Sequence, residues 1–321
     1  MVGRRRRWLA GLVGALVAVA AFQGPASAAS TAPSYPGDFP DPFVLPVHGT
    51  YHAYGTQNGS LSVQHMESPD TMDWKDLGNA LPVLPLWGEW GRTWAPGVLK
   101  RGLHYVLYYT VRQRSSGRQC ISTAISLLPQ GPFLDLSLRP LICQLDRGGS
   151  IDPYPFVDRN GSAYLLWKSD DNALGRPTSL WGRRLTPDGL SLSGSTVRLL
   201  DSDQPWEGGV VEGPAMVFAG GTYYLFYSAN RWDSAESATG YATCATPLGP
   251  CTKVTTSAPW MASHGDAVGP GGPAFFSDDT GRTRIAYHAW SPGRIGYDNG
   301  GARSLWIDRI SFTSGAPVLV P

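Results

Sequence analysis

Three acidic residues stand at the head of apolar runs, each beside proline or a Gly-Pro pair: Asp41 before Pro42, Asp152 before Pro153, and Glu212 before Gly213-Pro214. Eight or nine residues after each acid comes a turn glycine, Gly49, Gly161 or Gly221, and then an aromatic run such as Tyr223-Tyr224-Leu225-Phe226-Tyr227. This spacing puts the three carboxylates at one position of a repeated unit. Carboxylates that converge repel one another, and at least one of them holds its proton toward neutral pH. One carboxyl can then act as general acid while another acts as general base. Aspartate beside proline also caps turns, but recurrence at one repeat position favours chemistry.

The repeat itself is set by turn glycines at Gly49, Gly102, Gly161, Gly221 and Gly281. A recurrence of nearly 60 residues, filled with short strands, predicts an all-β fold, a five-bladed β-propeller with about four strands per blade. A two-sheet sandwich would not repeat one motif so regularly. The first strand of each blade lines the central channel, so Asp41, Asp152 and Glu212 should face one another across one mouth. At the matching place blade 2 offers Arg92-Thr93-Trp94-Ala95-Pro96, where Trp94 gives a stacking face for a sugar ring, and blade 5 offers Gly269-Pro270-Gly271-Gly272-Pro273.

Composition narrows the class. Of 321 residues, 11% are aromatic and 16% charged, with 39 Gly and 27 Pro, a profile of many tight turns and few helices. Arg4 to Arg7, the apolar stretch Trp8 to Phe22 and Ala26-Ser27-Ala28 read as an export leader over residues 1–28. The apolar stretch is shorter than the ~20 residues of a membrane span. Without the leader, 22 basic residues face 25 acidic ones, so neither nucleic acid nor an acidic surface is implied as partner. Residues 29–36 read as a flexible lead-in and 37–321 as one catalytic propeller domain. Four cysteines in an exported chain predict disulfides. Each of the local pairs, Cys120 with Cys143 and Cys244 with Cys251, encloses a Pro-x-Gly-Pro phrase, which favours local bridges over the crossed alternatives.

Other chemistries lack their residues. There is no Gly-x-Ser-x-Gly elbow and no His-Glu-x-x-His, and the six histidines show no metal-ligand spacing. His288 reads as a packed histidine.

The ordered set Phe39-Pro40-Asp41-Pro42, Trp94-Ala95-Pro96, Leu128-Pro129-Gln130-Gly131-Pro132-Phe133, Ile151-Asp152-Pro153 and Val211-Glu212-Gly213-Pro214 resembles glycoside hydrolase family 43 across nearly the whole mature chain. The resemblance implies a five-bladed propeller and an inverting glycosidase. It casts Asp41 as general base, Glu212 as general acid and Asp152 as the group that tunes and orients the acid. Inversion leaves room for water, roughly 6.5–9.5 Å between base and acid. Arg303 resembles a late arginine that reaches the pocket. Many members carry Gly-Pro-Gly-His, whose histidine helps hold a channel ion; here the phrase is Gly269-Pro270-Gly271-Gly272, so no metal or other cofactor is expected. The segments Tyr227 to Trp232 and Ala238 to Ala242 look most like the exo-acting arabinofuranosidase branch. The expectation is a secreted, monomeric α-L-arabinofuranosidase acting on plant cell-wall arabinan or arabino-oligosaccharides. β-Xylosidase or endo-arabinanase action is the alternative within the family. Outside it stand a non-catalytic carbohydrate-binding propeller and a structural propeller for protein contact.

Overall fold

The computed structural model describes residues 2–3, 29–312 and 315–320. The leader read over residues 1–28 falls, but for residues 2–3, outside them. Five antiparallel sheets follow one another along the chain. The first holds β1 (Phe43–Val47), β2 (Thr50–Gly55), β3 (Gln64–Ser68) and β4 (Lys75–Asn79). The second holds β5 (Gly88–Arg101), β6 (His104–Gln113) and β7 (Gln119–Ser126). The third holds β8 (Ser150–Val157), β9 (Ala163–Ser169), β10 (Ser179–Leu185) and β11 (Leu192–Asp201). The fourth holds β12 (Val211–Ala219), β13 (Thr222–Ala229), β14 (Ala238–Cys244) and β15 (Cys251–Lys253). The fifth holds β16 (Val268–Ser277), β17 (Thr283–Trp290), β18 (Ser304–Ser311) and β19 (Val318–Val320).

Strands pair in chain order within each sheet, and the innermost strands touch in a ring: β1 with β5, β5 with β8, β8 with β12, β12 with β16, and β16 with β1. This is the five-bladed propeller. Blade 2 departs from the four-strand expectation. Among the described residues its outer edge is continued only by single bridges, Gln119 to Gly149, Ile121 to Ile142 and Ile125 to Leu134.

The aromatic second strands are what hold the blades together. Side chains alternate between the two faces of a strand, and here both faces are covered by neighbouring blades. In β13, Tyr224 and Phe226 pack with Tyr287 and Trp306 of blade 5, whereas Leu225 and Tyr227 join the large cluster that reaches blades 1 to 3. In β9, Leu165 and Trp167 pack with Val106 and Tyr108 of blade 2, and Leu166 turns the other way. Two-sided burial explains why these strands read as continuous apolar runs instead of alternating ones.

The ring closes through the N-terminal segment. Tyr35 exchanges backbone hydrogen bonds with Leu305 at 3.2 and 3.0 Å, and Ser30 N–H donates to Asp308 Oδ1 at 2.6 Å. The outer edge of β18 is thus shared between β19, opposite Arg309 to Ser311, and this segment, opposite Leu305. Within residues 29–36, expected from their small side chains to be a flexible lead-in, Ser30, Tyr35 and Pro36 hydrogen-bond to β18, whose edge offers unpaired backbone. Both local disulfides are present, Cys120 with Cys143 and Cys244 with Cys251, the latter joining directly opposed residues of β14 and β15. Among the described residues no helix is long and apolar enough to cross a membrane.

Candidate active site

Each inner strand carries a left-handed residue followed by proline or, in blade 1, begins just after one. These are Asp41 (φ 53°), Ala95 (φ 44°), Asp152 (φ 55°), Gly213 (φ 54°) and Gly272 (φ 61°). In blades 2 to 5 the ladder shifts register across that dipeptide. Such a bulge bends the strand and re-aims its side chains. Asp41 and Asp152 share this position; Glu212 does not. It sits one residue earlier, level with Trp94, Ile151 and Gly271. The expectation of three carboxylates at one repeat position is corrected accordingly. Counting back from turn glycines misplaced Glu212 because the turn in blade 3, between Val157 and Ala163, is longer than the two-residue turns of blades 1 and 4. A left-handed non-glycine residue costs about 1–3 kcal/mol and persists only where its surroundings over-determine it.

The over-determination is a ring of hydrogen bonds between blades. The N–H of each left-handed residue donates to an acceptor on the preceding blade. Ala95 donates to Thr56 Oγ1 (2.8 Å), Asp152 to Thr110 Oγ1 (3.1 Å), Gly272 to Ser228 Oγ (2.7 Å) and Asp41 to His288 Nδ1 (3.0 Å). These acceptors sit at one place of the second strand: Thr110, Ser228 and His288 lie opposite Trp94, Glu212 and Gly271 in the ladders, and Thr56 N–H donates to Pro40 O. In blade 3 that place is Lys168, opposite Ile151. An ammonium has no lone pair to offer. Gly213 N–H donates instead to Asp152 Oδ2 at 3.0 Å. One carboxylate oxygen of Asp152 is thereby fixed beside the backbone of Glu212.

Asp41, Asp152 and Glu212 line one cavity of about 610 Å³ at the axis, together with Trp94 and Arg303. Its size is that of a small-molecule site, typically ~300–1,000 Å³. Its electrostatics separate the acids. Burial pushes the Asp41 carboxyl upward, but Arg303 Nη1 at 3.3 Å, His288 and the Thr56 hydroxyl at 2.6 Å outweigh it and hold Asp41 below its usual range. Burial and the Arg303 charge drive His288 down to about 3. Since its Nδ1 also accepts the Asp41 N–H, the ring is neutral near pH 7, and Arg303 is the cation that keeps Asp41 ionised. Asp152 moves the other way, up to about 7, through burial, then the Glu212 and Asp41 charges, against the pull of Lys168 and the Gly213 N–H. Two opposed carboxyls across one hollow suit acid/base work.

Several site residues escaped the sequence reading. Lys168 is 1% exposed and donates to Glu212 Oε2 at 2.9 Å. A lone lysine inside Tyr164-Leu165-Leu166-Trp167-Lys168 was the visible signal. Trp232 and Tyr297 line the cavity and pack on the Arg303 guanidinium, whose centre lies 4.8 and 5.7 Å from their rings. His288 is packed, as expected, but also faces the cavity. Where the resemblance would put a histidine that helps hold a channel ion, this chain has Gly272, beside His288. A Cβ at Gly272 would stand 2.7 Å from His288 Nδ1, which is already engaged by Asp41. Among the described residues no group of three His, Cys, Asp or Glu side chains could hold a metal.

Comparison with known proteins agrees with this geometry. The chain is 27% identical to a β-D-galactofuranosidase of Aspergillus niger over 89% of this chain and 83% of that protein. It is 29% identical to a probable arabinan endo-1,5-α-L-arabinosidase A of Aspergillus flavus, over 84% and 86%. A thermostable family-43 glycoside hydrolase of known crystal structure superposes with a TM-score of 0.78 at 30% identity, over 88% of this chain and 92% of that one. The sequence profile of glycosyl hydrolases family 43 matches residues 30–317. With the five-bladed ring and its acid-lined axial cavity, that match makes the chain a member of glycosyl hydrolases family 43.

Proposed function

We propose that this glycoside hydrolase releases α-L-arabinofuranosyl units from arabinan or arabino-oligosaccharides with inversion of configuration. The observation that carries the reading is the convergence of Asp41, Asp152 and Glu212 on one sugar-sized cavity, with Asp41 lowered and Asp152 raised. Asp41, ionised beside Arg303, takes a proton from water as the water attacks the anomeric carbon. The glycosidic C–O bond breaks on the opposite side, and its oxygen takes a proton from Glu212. Asp152, pushed up by burial and by the Glu212 charge, lies beside that acid, and its bond to Gly213 N–H keeps the two in register. Trp94 provides the stacking face. After product leaves, Asp41 gives its proton to solvent and Glu212 takes one up.

Furanoside specificity is supported by the names of two similar proteins, a β-D-galactofuranosidase and a probable arabinan endo-1,5-α-L-arabinosidase. Endo-arabinanase action is the second reading, favoured by the fungal arabinosidase similarity. Export is supported by the leader-like N-terminus and by two disulfides. The test is a panel of 4-nitrophenyl α-L-arabinofuranoside, β-D-galactofuranoside and β-D-xyloside with linear arabinan, the first-formed anomer being followed by proton NMR. The proposal expects the arabinofuranoside to be preferred, monomeric arabinose from the polymer, and an inverted anomer. Internal cleavage would replace exo by endo action; silence on all four with retained sugar binding would leave a lectin-like propeller.

A further inference from the structure

Lys168 interrupts a ring that every other blade completes. Thr56, Thr110, Ser228 and His288 are acceptors at this place, and blade 3 alone presents a cation. Burying an ammonium is expensive unless it is paired. Lys168 is paired twice: Nζ lies 2.9 Å from Glu212 Oε2 and 3.7 Å from Asp170 Oδ1. Asp170 also lines the cavity, as a further carboxyl beyond the three found in sequence.

We propose that Lys168 is a positioning residue for proton delivery: held between Glu212 and Asp170, its ammonium aims Glu212 and stabilises the negative charge that appears there as the proton leaves. The proposal rests on Glu212 being the acid. The geometry gives it two parts. Lys168 occupies Oε2, so Oε1 is left to face the glycosidic oxygen. Its charge interacts more strongly with the carboxylate formed by donation than with the carboxylic acid before it, which is stabilisation specific to the later state. Burial opposes the ammonium, but Glu212, Asp152 and Asp170 outweigh it, so Lys168 keeps its proton.

The charges facing this group are Glu212, Asp152 and Asp170 around Lys168, with Asp41 beyond Asp152 and Arg118 near Asp170. Removing the cation raises the proton affinity of the carboxyl pair. Removing the Asp170 charge lowers it and leaves Lys168 wholly to Glu212. Lys168→Met and Asp170→Asn should therefore move the alkaline limb of the kcat/KM profile in opposite directions, Lys168→Met upward by about one pH unit or more. Lys168→Met should also lose roughly tenfold to a hundredfold on a substrate with a poor leaving group and little on a 2,4-dinitrophenyl glycoside, which needs no proton. Lys168→Arg should restore the limb. If Lys168→Met does not fold, Asp170→Asn still reads the predicted downward shift. The same displacements should appear in a carboxyl ¹³C titration of Asp152 without substrate, which reports on Lys168 even if hydrolysis is absent and the functional reading fails. Limbs and titrations that stay put, or that move in the same direction in both variants, overturn the proposal.

Discussion

Asp152→Asn should inactivate the protein and stabilise its fold, by an amount that depends on pH. Asp152 is raised from an ordinary 3.8 to about 7 by burial and by the Glu212 charge. Below pH ~4 both folded and unfolded chains hold the proton, and the shift changes nothing. Between about 4 and 7 the folded state binds more protons than the unfolded one, so stability falls as pH rises, by about 1.36 kcal/mol per unit. Above 7 the loss is complete. Three units set a ceiling of about 4 kcal/mol. Asp152 is partly open to the cavity, so solvent screening reduces this to about 2 kcal/mol. Asparagine avoids ionisation, and its Oδ1 can still accept the Gly213 N–H that closes the ring. The variant should gain little near pH 4 and, near pH 8, about 2 kcal/mol or ~4 °C in Tm. Denaturant unfolding of both proteins from pH 4 to 9 checks this. A difference that is flat with pH, or that favours the wild type at alkaline pH, refutes the reasoning.

Further outcomes follow from the same contacts. Thr56→Val strips the hydroxyl that donates to Asp41 Oδ2 and accepts the Ala95 N–H; it should cost about 1–3 kcal/mol in denaturant unfolding and lower kcat/KM with it. Arg303→Met removes the cation beside Asp41, so the base should be protonated at higher pH and the acid limb of the rate profile should move up by about one unit. Dialysis against EDTA should leave turnover within about twofold, because His288 Nδ1 is engaged by Asp41 and the neighbouring residues form no ligand set; a large loss restored by calcium would contradict this.

Much of the fold was legible because one unit recurs. Turn glycines and aromatic second strands such as Tyr223 to Tyr227 mark every blade, and the ring follows from their number. The acids were legible because each stands before proline or Gly-Pro. What stayed hidden depends on register across the ladder. The offset of Glu212 from Asp41 and Asp152 appears only when the bulges are aligned by their left-handed residues. Thr56, Lys168 and His288 are scattered in type, so no motif joins them; their common role is set by which residue each faces across the first two strands of its blade. The docking of residues 29–36 depends on an edge of β18 completed by the other end of the chain, a contact of very long sequence separation.

The account rests most heavily on Glu212 as proton donor. The direct test is Glu212→Gln assayed on arabinobiose and on 2,4-dinitrophenyl α-L-arabinofuranoside. Turnover of the disaccharide should fall by about 10²–10⁴-fold, and that of the activated glycoside far less, because its leaving group departs without a proton. Near-wild-type turnover of arabinobiose, or an equal loss on both substrates, would contradict it.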